Sequence, residues 1–244
     1  MSAGIPSEAT AIDHIASLSD MLRQLRDADP GFRVFGSMQH GYRLGFSLSE
    51  RELATFESAN GIRLPEDYRR FLSAVGNGGA GPYDGLEPLG TFGRNLSKPF
   101  PFIAATDTLT EEELGRLPDR DEYSGVIEFC HQGCAIYSYL VVNGPTYGTL
   151  WDGGEDFYPT RLTFAVWYRR WLERALRALA NERLVPRLQV GMSLAEVLAA
   201  VGGEWKARPA LGRSVQYLEA DGFPAQLELD AQDVVIKVNR WPFI

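Results

Sequence analysis

Residues 48–81 constrain this chain more than any other stretch, because the starts and stops of two helices are written into them. Ser49 and Glu52 have the spacing of a capping box, and Leu48 and Leu53 fall where a hydrophobic staple packs across a helix start. A helix is therefore expected to begin at Ser49. Leu53 and Phe56 give it an apolar side, and Asn60-Gly61 supplies the left-handed turn that ends it. Pro65 opens a second helix, since its missing N–H costs nothing in a first turn, and Glu66 and Asp67 sit at the positive end of the dipole. Tyr68, Phe71, Leu72 and Val75 recur at i, i+3, i+4 and i+7, which is one buried stripe. The glycines from Gly76 to Gly81 then reverse the chain.

Further on, residues 126–130 and 135–142 are rich in β-branched and aromatic residues and are separated by His131-Gln132-Gly133. They predict a hairpin that turns on that tripeptide, with residues 148–151 as a third strand. The longest helix is expected over residues 164–181, where Phe164, Trp167, Tyr168, Trp171, Leu172, Ala175, Leu176 and Leu179 keep a helical period for about four turns. Trp167 and Trp171 are expected to be largely buried against the sheet. At the other end, a polar tail passes into a short helix with Leu18, Met21, Leu22 and Leu25 on one side, stopped by Asp29-Pro30-Gly31. After Pro186 a second capping box, Ser193 to Glu196, opens a compact helix that Gly202 stops. Residues 215–218, 225–229 and 234–238 follow as a three-stranded antiparallel meander.

The Glu57 helix, Leu64-Pro65, Tyr68, Phe71-Leu72 and the Asn77-Gly78-Gly79 turn together resemble the N-terminal signature of the SUKH superfamily, the Smi/Knr-type domains. A second block is similar to bacterial, immunity-protein-like members: Cys130-His131-Gln132-Gly133-Cys134, Leu140-Val141-Val142, Gly144, Gly148-Thr149-Leu150-Trp151, Phe164, Trp167-Tyr168 and Trp171-Leu172. The resemblance covers roughly residues 40–180 in the right order. It implies an α+β fold, a SUKH-like antiparallel or mixed sheet packed with helices. Residues 1–183 would form that domain with an N-terminal helical extension, and residues 184–244 a small C-terminal α+β appendage of a helix and the three-stranded meander. It also implies a binding role: an immunity protein that neutralises a cognate bacterial toxin, such as a nuclease-type effector, by occluding its active site. The alternative within binding proteins is a regulatory interaction scaffold, like the fungal cell-wall-synthesis regulator that shares the domain.

Composition excludes other classes. With 45% hydrophobic and 23% charged residues in 244, the chain can bury a sizeable core and is neither disordered nor fibrous. No run approaches the apolar length of a membrane span, and the N-terminus, with Glu8 and Asp13 and no basic segment before an apolar one, does not look like a signal peptide. The cytoplasm is the expected location. A formal charge of −8 argues against nucleic-acid binding by phosphate neutralisation and suits a basic protein partner.

Catalytic and cofactor readings come out poorly. His14, His40 and His131 are the histidines available for acid–base work near neutral pH, and none lies in a nucleophile or metalloprotease motif. The glycine run at Gly76 follows a helix rather than a strand and lacks the Gly-Lys-Ser/Thr that completes a phosphate loop. A hydrolase using His131 or Cys130 is the alternative from another class. Cys130, His131 and Cys134 offer three zinc ligands where a structural site wants four, so no metal and no cofactor are expected. If the two cysteines flank the hairpin turn they could bridge on oxidation, but a reducing cytoplasm keeps them as thiols.

Charge is uneven along the chain. Arginines crowd the long helix, from Arg161 to Arg187, while the acidic excess collects in loops after the glycine turn. Singly, each such residue reads as solvated surface. As a group, Asp84, Glu87, Asp152, Glu155 and Asp156, joined by Tyr83, Phe157 and Tyr158, are expected to form the protein-binding surface, with acids steering a basic partner and aromatics anchoring it.

Overall fold

A computed structural model of the chain describes residues 8–93, 95–116, 122–209 and 216–240. Helices α1 (Glu8–Ala28), α2 (Ser37–His40), α3 (Glu50–Asn60), α4 (Glu66–Ala74) and α5 (Glu111–Arg116) precede strands β1 (Val126–Gly133), β2 (Ile136–Val141), β3 (Leu150–Gly153) and β4 (Phe157–Pro159). Helices α6 (Phe164–Glu182) and α7 (Leu194–Val201) follow, then β5 (Trp205–Pro209), β6 (Gln216–Ala220), β7 (Ala225–Leu229) and β8 (Val235–Arg240). The fold is α+β. Contacts divide it into two compact units, Met1–Arg23 with Gly36–Trp171, and Gln24–Phe35 with Leu172–Ile244.

The helix ends behave as their residues dictate. Ser49 caps α3, its Oγ accepting from the Glu52 N–H at 3.3 Å while Glu52 accepts the Ser49 N–H at 2.8 Å. Gly61 closes α3 at φ 63°. Pro65 stands one position outside α4, as its cap, and the Glu57 carboxylate accepts the Leu64 N–H at 2.9 Å, which ties the end of α3 to the start of α4. The N-terminal helix is longer than the sequence led us to expect, beginning at Glu8 and running 21 residues. Ile15 extends the stripe of Leu18, Leu22 and Leu25 backwards by one turn, and the backbone of residues 8–14 is helical; residues 1–7 lie outside the described residues.

In the first unit, β1-β2-β3-β4 form an antiparallel sheet in that order. Gly133 pairs with Ile136, so the β1–β2 turn is Cys134–Ala135, at φ 51° and 60°, and not His131-Gln132-Gly133. That tripeptide belongs to β1 instead, where register shifts at Glu128/Cys130 and His131/Gly133 absorb its irregularity. Beyond β1 the sheet continues through single antiparallel bridges, Cys130 to Leu86, Leu86 to Gly79 and Gly79 to Leu44. Only glycine fits at Gly79, whose φ is 93° and where a Cβ would stand 2.3 Å from the Arg43 carbonyl oxygen.

One face of the sheet packs on helices: Phe129 lies 5.6 Å from Phe164 and 5.2 Å from Trp167, and Phe164 lies 4.7 Å from Tyr68. The buried stripe of α6 starts with Phe164, Tyr168 and Leu172. Trp167 and Trp171 flank it half-buried, contrary to expectation, because a four-residue step from Phe164 centres the stripe on Tyr168. The Tyr168 hydroxyl donates to the Ala80 carbonyl at 2.9 Å and so anchors the glycine turn. The opposite face is covered by the segment after the glycine turn, where Phe100 and Phe102 join Val126, Tyr139, Val141, Trp151 and Phe157 in one cluster.

The second unit has its own core. An antiparallel sheet in the order β5-β6-β7-β8 packs Leu218, Ala225, Leu227, Leu229 and Val235 with Val185, Leu188 and Val197. The meander therefore gains a fourth strand, β5, at its edge. Ser193 caps α7 with the expected box to Glu196. No described helix is long and apolar enough to cross a membrane.

Candidate functional site

The two acidic loops lie toward the same end of the first sheet, with β1 and β2 between them. Tyr83, Asp84 and Glu87 sit in the loop that borders β1; Glu155 and Asp156 form the β3–β4 turn, and Asp152 leads into it. Tyr137 pairs with Gly153, which sets the β1–β2 turn beside the β3–β4 turn. With strands about 4.8 Å apart, the loop beyond β1 and the end of β3 lie about 15 Å from one another, the width of a small protein contact.

Backbone geometry pins the first loop. Leu86 and Gly79 exchange both N–H bonds at 2.6 and 2.7 Å, and the Glu87 N–H donates to the Phe129 carbonyl at 2.8 Å. The Tyr83 carbonyl lies so close to Gly36 that a Cβ there would stand 1.4 Å from its oxygen. Asp84 is exposed, with an oxygen 3.5 Å from His131 Nδ1, and the His131 ring lies 4.7 Å from that of Tyr137.

Asp152 is held by two donors, one on β1 and one on β2. Its Oδ1 accepts from Ser138 Oγ at 2.8 Å and from Gln132 Nε2 at 2.6 Å. Burial pushes its carboxyl above the ordinary aspartate value, and those two hydrogen bonds offset part of the shift. Glu155 is exposed, whereas Asp156 accepts from Thr106 Oγ1 at 3.1 Å, and the same hydroxyl accepts the Phe157 N–H at 2.7 Å. The ion pairs of the described residues join none of the five carboxylates to an Arg or Lys; only Asp84 has a basic neighbour, His131.

The aromatic members divide. Tyr158 is 45% exposed and Tyr83 half-buried. Phe157 is 1% exposed, stacked on Phe102 at 5.4 Å and edge-on to Phe100 at 5.5 Å. Its expected place on the contact surface is corrected: β4 turns the ring inward, under the aromatic segment that covers this face. An apolar group that the sequence reading missed stands at the hairpin tip, where Ile136 is 43% exposed. The signal for it is a turn at Cys134–Ala135, which sets Ile136 opposite Gly133, a residue with no side chain to cover it.

The same end of the sheet has little to offer as a nucleophile. Cys130 pairs across the ladder with Ser138 and is buried, Cys134 is exposed, and both are free thiols. Burial, and then the charges of Asp152, Asp84 and Glu87, push the Cys130 thiol far up, which disfavours the thiolate. Among the described residues no group of three or more His, Cys, Asp or Glu is placed to hold a metal ion.

A family model described as SMI1 / KNR4 family (SUKH-1) matches residues 47–170, just over half of the chain. The match runs from the α3 cap to α6 and includes the whole first sheet with its acidic end. No curated protein and no solved structure matches the chain.

Proposed function

We propose, from the premise that the chain belongs to the SMI1 / KNR4 family (SUKH-1), that it is an immunity protein, binding a cognate bacterial toxin at the acidic end of its first sheet and occluding the toxin's active site. The observation that carries this reading is the five carboxylates on pinned backbone at one sheet end, without an Arg or Lys partner among the described residues. Acids that no Arg or Lys neutralises attract a basic cleft and speed the encounter, and a toxin that acts on nucleic acid carries such a cleft. Tyr83, Tyr158 and Ile136 supply the apolar contact that acids alone do not. Binding by occlusion asks no chemistry of this chain, and its place of work is the cytoplasm, where such a toxin acts.

The test is a mixing experiment with the product of the reading frame next to this gene. The proposal expects a stable one-to-one complex and loss of toxin activity at stoichiometric amounts. Full toxin activity at a molar excess of this chain refutes it. A complex that leaves activity intact favours the scaffold role instead.

A further inference from the structure

At the end of β3 and β4 away from Glu155, the aromatic-covered side of the first unit opens into a cavity of about 490 Å³. Trp151 lines it, itself 0% exposed, together with Thr146, Arg161, Ile103 and Pro159. The size falls in the range of small-molecule sites, about 300–1,000 Å³. We propose that this pocket binds a small organic carboxylate with an apolar body, an inference that stands apart from the toxin-binding reading.

The polar inventory points to an anionic acceptor. Trp151 Nε1 and Thr146 Oγ1 are both buried without a hydrogen-bond partner. An indole N–H can only donate, and a buried donor without an acceptor is rare enough to call for a reason. The two other hydroxyls of the lining are already engaged: Thr108 donates to the Ala105 carbonyl at 2.7 Å and Thr149 to the Thr146 carbonyl at 2.6 Å. Arg161 is the one charged residue of the lining, and its guanidinium fork matches a carboxylate.

Backbone conformation adds to this. Arg161 is held at φ 59°, a left-handed conformation uncommon for a residue other than glycine. Arg161 shares the cavity lining with Trp151 and Thr146. Ile103, 72% exposed at the rim, and Pro159 and Ala105 in the wall suit a hydrocarbon or aromatic body better than a fully charged group such as phosphate.

The experiment follows the Trp151 indole N–H resonance of the ¹⁵N-labelled full chain during titration with benzoate, with benzyl alcohol and with inorganic phosphate. Benzoate should shift that resonance saturably with a Kd at or below about 1 mM, while benzyl alcohol and phosphate leave it in place. Arg161→Gly removes the guanidinium and suits the left-handed backbone, so it should fold normally and bind benzoate at least about tenfold more weakly; Thr146→Val should weaken it in the same direction. Three results overturn the proposal: no saturable shift with benzoate, an equal shift with benzyl alcohol or phosphate, or an unchanged Kd in Arg161→Gly.

Discussion

Phe157 and Glu155 stand two positions apart and should fail in opposite ways when substituted. Phe157→Ala empties a fully packed aromatic site, so it should lower unfolding free energy by about 3–5 kcal/mol, read as a fall in the denaturant midpoint. Glu155→Lys changes only solvent-facing charge and should leave that midpoint within about 0.5 kcal/mol of wild type. A stable Phe157→Ala would return the ring to the surface. Asp152 makes a third case, because its folded-state carboxyl titrates above the unfolded one. The native state then holds the proton more tightly, so this group's stabilising contribution is complete below the unfolded value and is lost as pH rises through the folded value. Asp152→Asn keeps an acceptor for Ser138 and Gln132 without the charge. Compared with wild type between about pH 4 and about pH 7, it should lose less stability as pH rises, and a parallel pair of curves would contradict that assignment.

Among the elements, those whose ends are fixed by local chemistry were legible in the sequence. The capping boxes at Ser49 and Ser193 set helix starts through bonds within three residues of each other, and both are present. Ser193→Ala should therefore lower stability by about 1 kcal/mol, measured on the full chain. The hairpin turn was not legible, because Gly133 attracts a turn assignment that strand register overrides: His131 must face Tyr137 for the ladder to hold. Cys134 and Ala135 consequently take left-handed angles without being the residues that favour them. Replacing them by Asn-Gly should raise stability by about 0.5–1 kcal/mol, and a loss of stability would mean that the turn is not of the I′ kind. The strand β5 escaped for a related reason. Trp205 and Ala207 give it too short an apolar alternation to stand out before its partner β6 is known.

At the scale of the whole molecule, the two acidic loops are 65 residues or more apart in sequence, and nothing local says that they share one end of a sheet. Their acidity was legible; their placement toward one sheet end depends on the β1–β2 register and on the bridges from Gly79 to Leu86 and from Leu86 to Cys130. The inward turn of Phe157 was not legible either, since its cover, Phe100 and Phe102, comes from a Gly/Pro-punctuated segment with no periodicity to place it. What results is a rim with Asp84, Glu155 and Asp156 exposed over a buried aromatic cluster. The most direct test is therefore the association rate of the proposed partner, the product of the neighbouring reading frame, with wild type and with the Asp84→Lys, Glu155→Lys double variant, at low and at high salt. The variant should associate at least about tenfold more slowly at low salt, with the difference shrinking as salt is raised. Identical rates for the two proteins at both salt concentrations would contradict the assignment of the acidic sheet end as the contact surface.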